Sequence, residues 1–431
     1  MKNRPTSRLS GFYKMSHEKR LQTLVASGAL DESDADYLRQ GHGIDFDVAN
    51  HMIENAIGVL ELPLGLGLNF VVDDKEFLVP MAVEEPSVVA AVSHIAKIVR
   101  DAGGFTTEYA GSTMVGQIQV VGCPDLEKAE LAILEARPRL LAKANTFEPG
   151  MLARGGGAKD IRVRVLDGGK YQKMMVVHLV VDACDAMGAN MINTMVEGIA
   201  EDVEALSGGR AFLRILSNLC DERLAKATCR VPFSLLGWRG FSGEEVAKGI
   251  ELASQFAEID SYRATTHNKG IMNGISSVCI ASGNDWRALE AGAHAYAARS
   301  GQYSPLAVWR VEDGMLVGEI EVPIAVGTVG GPIKLHPTVQ LVHRLLNVEG
   351  AGELARVMAS VGLAQNMGAL KALATEGIQR GHMSLHARSV AATAGATPEE
   401  MDSVVEELIR CGEIKIDRAS EIVDRLRCAS L

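Results

Sequence analysis

The chain has 431 residues, of which 47% are hydrophobic and 23% are charged, and this composition excludes a disordered protein. At about 100–200 residues per domain, the length predicts two to four domains, or one large domain with inserts. The formal net charge of −11 argues against general affinity for nucleic acid or an anionic membrane, although a local basic patch can still hold a phosphate.

The cysteines and the N-terminal residues bear on the cellular compartment. Seven cysteines are scattered without a C-x-x-C pair, so neither a disulfide framework nor a zinc knuckle is supported. The first twenty residues are polar and lack the apolar core of a signal peptide. The most apolar stretch, Leu60–Val72, falls short of the roughly 20 residues that a membrane span needs. We therefore expect a soluble, cytoplasmic protein that contacts no membrane.

The first hundred residues predict mainly helices. Apolar residues recur at helical spacing over residues 17–60. The stretch Leu60–Val72 is apolar but interrupted by proline and glycine, and a strand is predicted over Phe77–Val83. Pro86 opens a helix that ends at Gly103.

The middle of the chain alternates between strand and helix patterns. The predicted elements, in the order β-α-β-β-α-β, are Gln117–Val121, Asp125–Ala136, Ile161–Leu166, Met174–Val181, Met191–Leu206 and Ala211–Leu216. This order is that of a ferredoxin-like domain. We therefore predict a compact domain over residues 109–217 that is inserted into a larger one.

The rest of the chain returns to helical patterns. Ser242–Glu245 forms a capping box before an amphipathic helix. Leu306–Val311 and Met315–Ile324 predict a hairpin, and helices follow from His336 to about Thr375. The predicted class is therefore α+β.

Three parts make up this predicted architecture. Residues 1–108 and 218–376 form a large, mainly helical domain. Residues 109–217 form the inserted domain, and residues 377–431 form a small C-terminal helical subdomain.

Four polar clusters could carry chemistry. They are Val83–Ser87, Arg263–Gly274, Gly283–Arg287 and Arg380–His386. Each also has a purely structural interpretation: acidic residues at a helix N-terminus for the first, a solvated loop for the second and an ordinary N-cap for the third. In the fourth, His382 and His386 could ligate a metal if helical, but no third ligand cluster lies nearby in sequence. A single histidine acting as acid or base is favoured there, and no metal is predicted.

A fifth feature suits a phosphate-containing cofactor. The strand Met174–Val181 runs through Asp182–Asn190 into a helix, and the small residues at this junction would let a phosphate approach backbone N–H groups. The pattern is not G-x-G-x-x-G, so a Rossmann unit is not predicted.

Together these segments resemble 3-hydroxy-3-methylglutaryl-coenzyme A reductase in its soluble bacterial, second-class form, and most closely the degradative, NADH-using enzymes. The residues that carry the resemblance are Glu54–Gly58, Val83–Ser87, Asp185–Asn190, Arg263–Gly274, Gly283–Arg287 and Thr375–Met383. The resemblance implies interconversion of 3-hydroxy-3-methylglutaryl-coenzyme A and mevalonate by two hydride transfers with NAD(H), with coenzyme A as substrate or product.

The resemblance also implies catalytic roles for individual residues. Lys269 matches the lysine that polarises the thioester carbonyl, and Glu85 matches the glutamate that exchanges protons with the substrate. Asp285 matches the aspartate that bridges these two side chains. His382 matches the histidine that protonates the departing thiolate, whereas His386 matches a companion histidine to which we assign no catalytic role.

Binding residues follow from the same resemblance. The residues expected to contact the nicotinamide cofactor are Asp185, Met187, Gly188, Ala189, Asn190 and Glu148. Glu148 would pair with the ribose 2′-hydroxyl and repel a 2′-phosphate, which predicts NAD(H) over NADP(H). Ser87 and Arg263 would hold the free carboxylate of the substrate, and Asn273 is also expected to bind the substrate. The contacts to the coenzyme A phosphates stay unassigned, apart from Lys14 as a candidate.

The family is dimeric, with active sites at the subunit interface, so the resemblance implies a homodimer or a higher oligomer of dimers. Its C-terminal segment moves as a flap, for which Gly377 and Gly381 would be suitable hinges.

Two other functions stay open on sequence grounds. A coenzyme A thioester hydrolase or acyltransferase would need a nucleophile beside a base, and no cysteine lies in such a motif. A non-catalytic ligand-binding protein would keep its function after Lys269→Ala. The direction of mevalonate metabolism is not encoded, because synthesis and breakdown use one site.

Overall fold

The computed structural model describes residues 5–41, 43–168, 170, 172–375, 377–397 and 399–429; for residues 331, 332, 378–385 and 429 it describes the backbone alone. Within these residues, helices combine with small antiparallel sheets, which confirms the predicted α+β class. None of the helices in this part of the chain has the length and apolarity needed to cross a bilayer.

The strands of the described residues are numbered in chain order. They are β1 (Leu64–Val72), β2 (Lys75–Ala82), β3 (Thr106–Tyr109), β4 (Thr113–Val121), β5 (Gly157–Leu166), β6 (Met174–Asp182), β7 (Arg210–Ser217), β8 (Leu224–Pro232), β9 (Ala307–Glu312) and β10 (Met315–Pro323).

The α-helices are numbered in the same way. They are α1 (His17–Ala26), α2 (Glu32–Gln40), α3 (Phe46–Met52), α4 (Val88–Asp101), α5 (Leu126–Glu135), α6 (Arg137–Thr146), α7 (Pro149–Leu152), α8 (Ala189–Ser207), α9 (Gly243–Ile259), α10 (Ser261–Ala281), α11 (Trp286–Ala297), α12 (Gly331–Leu335), α13 (Pro337–Leu346), α14 (Ala351–Ala374), α15 (Ile378–Thr393), α16 (Met401–Cys411) and α17 (Ile416–Ala429).

The inserted segment has a sheet and a core of its own. Its strands pair in the order β5-β6-β4-β7, and all pairs are antiparallel. Helices α5, α6 and α8 pack on this sheet around a core that includes Ile118, Val177 and Ile199. The predicted split-βαβ order is therefore present, with α6 and the short α7 added after α5. Pro138 lies in the first turn of α6, where its missing N–H breaks no helical hydrogen bond.

The larger part of the molecule is built around a second sheet and two long helices. This sheet has the order β3-β8-β10-β9, and the predicted hairpin forms its β9–β10 edge. Helix α14 is buried along most of its length, and its buried residues include polar side chains such as Gln365 and Asn366. It packs against α10 and α4, and these three helices surround the site described below.

Three sequence predictions differ from the structure in this part. The helical pattern of residues 17–60 gives only α1–α3, and residues 55–60 are not helical. The glycine-broken stretch instead contains β1, which pairs with β2 from Leu64 opposite Ala82. Gly65 lets α4 come close, since a Cβ there would lie 2.9 Å from Val89 Cγ2. Strand β8 was not predicted, although its alternate residues Ala225 and Ala227 are buried.

The C-terminal helices form a separate small core. Residues of α15, α16 and α17, including Val390, Leu408 and Ile422, pack on one another. Gly377 precedes α15 with a φ of 82°, a left-handed conformation that favours glycine. Gly381 lies within α15, so only Gly377, of the two proposed hinges, is at a break in helical structure.

Candidate active site

One cavity of about 440 Å³ brings together the substrate-side residues predicted from the sequence. They are Glu85, Ser87, Arg263, Lys269 and Asn273. Glu85 and Ser87 lie between β2 and α4, whereas the other three project from α10. Helix α14 adds a wall that includes Gln365 and Asn366. Two polar clusters almost 180 residues apart along the chain thus share a single cavity.

The glutamate in this cavity is held by two side chains of α10. Lys269 Nζ donates to Glu85 Oε2 at 2.8 Å, and Asn273 Nδ2 donates to the same oxygen at 3.3 Å. Lys269 and Asn273 are one helical turn apart, so both reach a carboxylate beside the helix. A cation and an amide donor therefore converge on one carboxylate at the cavity wall.

The second polar cluster is helical throughout, and its interpretation as a solvated loop is wrong. His267 is buried and its Nε2 donates to the Ala307 carbonyl at 3.0 Å. Asn268 is also buried and bonds the Ser304 carbonyl and the Leu306 amide. These bonds tie α10 to the segment before β9. Burial lowers the pKa of His267 to about 4, so its imidazole is neutral at physiological pH.

Arg263 and Ser87, which the sequence predicts to bind the substrate carboxylate, both line this cavity. Arg263 is partly buried, and this burial lowers its pKa, although an arginine still remains protonated at physiological pH. In the described part of the chain, no carboxylate pairs with its guanidinium. Ser87 begins α4 with a φ of 77°, which is strained for a residue other than glycine. Such strain is typical of binding sites, and Ser87 lies beside the cavity.

Asp285 makes different contacts from those that the sequence predicted. Its carboxylate caps α11 by accepting from the amides of Arg287 and Ala288, and Arg287 Nε donates to it at 3.1 Å. Partial burial opposes ionisation, but these hydrogen bonds and the guanidinium charge keep the pKa of Asp285 below its usual value. Neither Lys269 nor Glu85 is among its described partners. The expected bridge is therefore absent, because the helix N-terminus and Arg287 take both carboxylate oxygens.

The predicted cofactor motif forms a half-buried turn at the start of α8. Gly188 has a φ of 99°, and no side chain caps the helix that follows. The amides of Ala189 and Asn190 thus lie at an uncapped helix N-terminus, where anions bind. Asp185 is partly used elsewhere, since its Oδ1 accepts the Ala351 amide at 2.8 Å and caps α14.

A second segment connects this motif to the cluster around Asp285. Asn284 exchanges two hydrogen bonds with Gly327, of 3.1 and 2.7 Å. The Thr328 amide donates to the Asp185 carbonyl at 2.9 Å. Gly327 packs so closely that a Cβ would lie 2.7 Å from the Met187 nitrogen. The glycine cluster at 327–331, which alone suggests only a turn, therefore joins two predicted functional motifs.

Glu148 is the residue that the sequence predicts to contact the ribose 2′-hydroxyl. It precedes α7, which leads into the glycines at 155–157. Gly156 packs against the segment before the motif, since a Cβ would lie 2.7 Å from both Asp182 O and Cys184 Sγ. No hydrogen bond or ion pair involves the Glu148 carboxylate within the described residues.

A larger cavity of about 650 Å³ adjoins the first across α4. It contains cations that the sequence did not single out, and its wall includes Arg8, Arg20, Ser93 and Lys97. Both cavities border Ala90. Lys14, the sequence candidate for phosphate contacts, does not line this cavity, and its Nζ lies 5.6 Å from the Tyr13 ring centroid. The polar and basic N-terminal residues are a sequence signal for Arg8 and Arg20 at this cavity. Lys97 has no such signal, because its pattern is that of an ordinary lysine on a helix surface.

In the fourth polar cluster, the structure describes the side chain of His386 but only the backbone of residues 380–385. His382 is a residue of α15, but its side chain lies outside the described residues. His386 is exposed on the same helix. Among the side chains that the structure describes, no group of three or more His, Cys, Asp or Glu residues could hold a metal ion.

Comparisons with known proteins show the family of this chain. A family model described as hydroxymethylglutaryl-coenzyme A reductase matches residues 16–387. The 3-hydroxy-3-methylglutaryl-coenzyme A reductase of Archaeoglobus fulgidus is 51% identical over 98% of this chain and 95% of its own. A probable reductase of the same name from Borreliella burgdorferi is 35% identical over 97% of both chains.

Solved structures give the same result. The reductase of Streptococcus pneumoniae superposes with a TM-score of 0.83 at 43% identity, and the match covers 97% of this chain and 99% of that one. A further structure of that class II enzyme, bound to NADPH in open conformations, gives a TM-score of 0.82 over 85% of this chain and 99% of that one. The chain therefore belongs to the hydroxymethylglutaryl-coenzyme A reductase family.

Proposed function

We propose that this chain interconverts 3-hydroxy-3-methylglutaryl-coenzyme A and mevalonate, with release or uptake of coenzyme A. The observation that carries the proposal is the cavity in which Lys269 and Asn273 converge on Glu85 at 2.8 and 3.3 Å. In the same cavity, Arg263 has no described carboxylate partner. Thioester reduction needs an oxyanion stabiliser, a proton source and an anchor for the acyl group, and these residues supply all three.

The chemistry follows from the residue types. Lys269 places a positive charge where the carbonyl oxygen of a bound thioester becomes an oxyanion, and such stabilisation is commonly the largest single catalytic contribution. Glu85 lies against the same ammonium and can exchange a proton with that oxygen. Arg263 and Ser87 hold the free carboxylate and so orient the reacting carbon. Family membership supports these assignments through the matching motifs.

Asp285 and His382 complete the proposed machinery. Asp285 would join Lys269 and Glu85 after its carboxylate turns away from Arg287, whose side chain is 72% exposed and can move into solvent. His382 would protonate the coenzyme A thiolate when α15 closes over the cavity. Both roles rest on the family resemblance.

We propose NAD(H) as the cofactor. The uncapped start of α8 and the close packing at Gly188 fit a dinucleotide pyrophosphate, which needs backbone amides and close approach. When bound, a nicotinamide cofactor supplies or accepts the hydride. Glu148 would repel a 2′-phosphate, in contrast to the Streptococcus pneumoniae relative, whose structure contains NADPH.

The coenzyme A moiety is assigned to the larger cavity. A thioester in the smaller cavity would pass Ala90 and lead its nucleotide towards Arg8, Arg20 and Lys97. Helix α4 rises about 15 Å between Ser87 and Lys97, a distance suited to the extended pantetheine arm. These cations replace Lys14 as the proposed phosphate contacts.

We also propose a cytoplasmic homodimer. The extended segment 53–64 exposes a row of apolar side chains, with Ile57 100% exposed and Leu60 91% exposed. Such a row is costly to leave in water and is typical of a protein interface. The segment includes Glu54–Gly58, which matches the family.

A spectrophotometric assay tests the proposed reaction. Purified chain is incubated with 3-hydroxy-3-methylglutaryl-coenzyme A and NADH, then NADPH, and absorbance is followed at 340 nm. We expect NADH oxidation that Lys269→Ala reduces by about a hundredfold or more. Lys248→Ala is the control, because Lys248 forms an exposed ion pair with Glu244 away from the cavity. Free thiol release without an absorbance change would indicate a hydrolase, and no turnover in either direction would refute the proposal.

A further inference from the structure

Arg223 is a buried arginine that the reaction described above does not use. It immediately precedes β8, and it is 0% exposed. Burying a guanidinium is costly, and the cost is offset only if its donors are satisfied. An arginine at this position therefore needs a structural or functional reason.

Every described partner of the Arg223 guanidinium is an uncharged oxygen. Its Nη1 and Nη2 donate to the Ala186 carbonyl at 3.2 Å each, and Nη1 also reaches the Met187 carbonyl at 3.3 Å. Nη2 donates to the Val326 carbonyl at 2.6 Å, and Nε donates to the Tyr109 hydroxyl at 3.1 Å. One planar group thus binds four oxygens, a geometry that the single ammonium of lysine cannot reproduce.

These oxygens come from the parts of the chain that must be aligned for hydride transfer. Ala186 and Met187 belong to the cofactor motif and lie just before the uncapped start of α8. Val326 precedes Gly327, which Asn284 bonds beside Asp285. Tyr109 ends β3, where the chain leaves the sheet of the larger part for the inserted segment.

From this geometry we propose that Arg223 is a positioning residue for the nicotinamide cofactor. It fixes the carbonyls of Ala186 and Met187, and through them it orients the amides of Ala189 and Asn190 towards the dinucleotide. Because the same guanidinium holds Val326 and Tyr109, it also sets the cofactor motif relative to the cavity of Lys269 and Glu85. Arg223 acts through the loop and contacts neither the acyl-coenzyme A nor the hydride. This role rests on the proposed reductase function.

Steady-state kinetics on full-length variants test the proposal. In Arg223→Met, we expect the KM for the nicotinamide cofactor to rise by about tenfold to a hundredfold and kcat to fall, because small misplacements of reacting groups have large effects. The KM for 3-hydroxy-3-methylglutaryl-coenzyme A should stay within about twofold, since no partner of Arg223 lines that cavity. Arg223→Lys should recover part of the cofactor affinity, and Tyr109→Phe should have a smaller effect in the same direction.

Arg310→Met is the matched control. Arg310 is a partly buried arginine that pairs with Glu258, and it touches neither motif. It should leave both KM values unchanged. A folded, active Arg223→Met enzyme with unchanged cofactor KM would overturn the role, as would an equal rise in both KM values. If Arg223→Met fails to fold, Arg223→Lys and Tyr109→Phe decide the question. Absence of turnover in the wild type would refute the reductase function instead.

Discussion

At the scale of single residues, the exposure of Lys269 and Glu85 limits what their ion pair contributes to stability and is compatible with the catalytic roles proposed for them. Their side chains are 62% and 38% exposed. An ion pair in such surroundings stabilises a fold by about 1 kcal/mol or less. A substrate that covers the cavity removes water from the pair and strengthens its field at the carbonyl. The pair therefore becomes strong only when substrate is bound.

We expect the cofactor preference to depend on the charge of Glu148. We expect Glu148→Ala to lower the ratio of kcat/KM for NADH over kcat/KM for NADPH by about tenfold or more, because the carboxylate that repels a 2′-phosphate is lost. Both kcat/KM values are measured from the absorbance at 340 nm. Glu135→Ala, an exposed glutamate at the end of α5, is the control and should leave the ratio unchanged. An unchanged ratio in Glu148→Ala would remove this residue from the cofactor site.

A buried lysine makes stability depend on pH. Lys371 is 5% exposed, lies 3.4 Å from His94 Nε2 and 4.4 Å from the Trp238 ring centroid, and has no carboxylate partner among the described residues. Burial lowers its pKa from 10.5 to about 8. Between these two values the unfolded chain binds more protons than the folded chain, so this group makes the folded state more stable as pH rises.

The corresponding prediction compares the wild type with Lys371→Met. The free energy of unfolding of the wild type should gain roughly 3 kcal/mol from this group between pH 8 and pH 10.5, and the variant should lack that gain. Urea unfolding at several pH values gives the difference between the two proteins, which cancels other titrations. A difference that does not change with pH would show that Lys371 is not desolvated in the folded protein.

At the scale of elements, helices α4, α10 and α14 surround the cavity. Helix α10 supplies the cation and the amide, the turn before α4 supplies the glutamate, and α14 forms a wall. The start of α14 is itself held by the cofactor motif, through Asp185 and the Ala351 amide. A hydrogen bond therefore connects the predicted cofactor motif to the helix that forms the cavity wall.

Gly350→Ala tests this link. Gly350 has an extended backbone, so the conformation suits any residue, but a Cβ there would overlap Asp185 Oδ1. We expect a loss of about 1–3 kcal/mol in the free energy of unfolding, together with a higher KM for the cofactor. Gly43→Ala is the control, since its Cβ would meet only Glu61 Oε1 at 3.5 Å. A variant with normal stability and normal cofactor KM would show that the Asp185 cap is dispensable.

At the scale of the whole molecule, the C-terminal helices are the part that can be removed. Helices α15–α17 pack mainly on one another, and their core shares no residue with the main core. A chain ending at Thr375 should therefore stay folded. Its circular dichroism spectrum should show the helical content of the remaining elements, and its melting temperature should be close to that of the full chain.

Turnover of this truncated chain should fall by about a hundredfold or more, because the proposed acid His382 is lost. His382→Ala in the full-length chain should lose a similar factor, whereas His386→Ala should retain most activity. Substantial turnover in the truncated chain would contradict the flap role of His382.

The sequence by itself determined the class of fold and the family, and it predicted which residues form the cavity. Alternating and helical apolar periods depend on local geometry, so they located the inserted sheet, the hairpin and most helices. The motifs at Glu85, Lys269 and Asp185 identified the family because catalysis restricts residue types at fixed spacings. Local patterns failed where partners are distant. The polar run from Arg263 is helical, and its buried His267 and Asn268 find their partners at and just before the start of β9. Strand β1 forms across glycines because β2 pairs with it.

Only the tertiary structure decided how the motifs connect. It placed Glu85 against α10, and it brought Arg8 and Lys97 to one cavity. It also showed Asp185 capping α14, Asp285 capping α11 instead of bridging Lys269 and Glu85, and Arg223 binding the cofactor loop. The physical reason is that hydrogen bonds and helix caps in the folded chain join residues far apart in sequence. No local pattern encodes which distant carbonyl a buried donor will find.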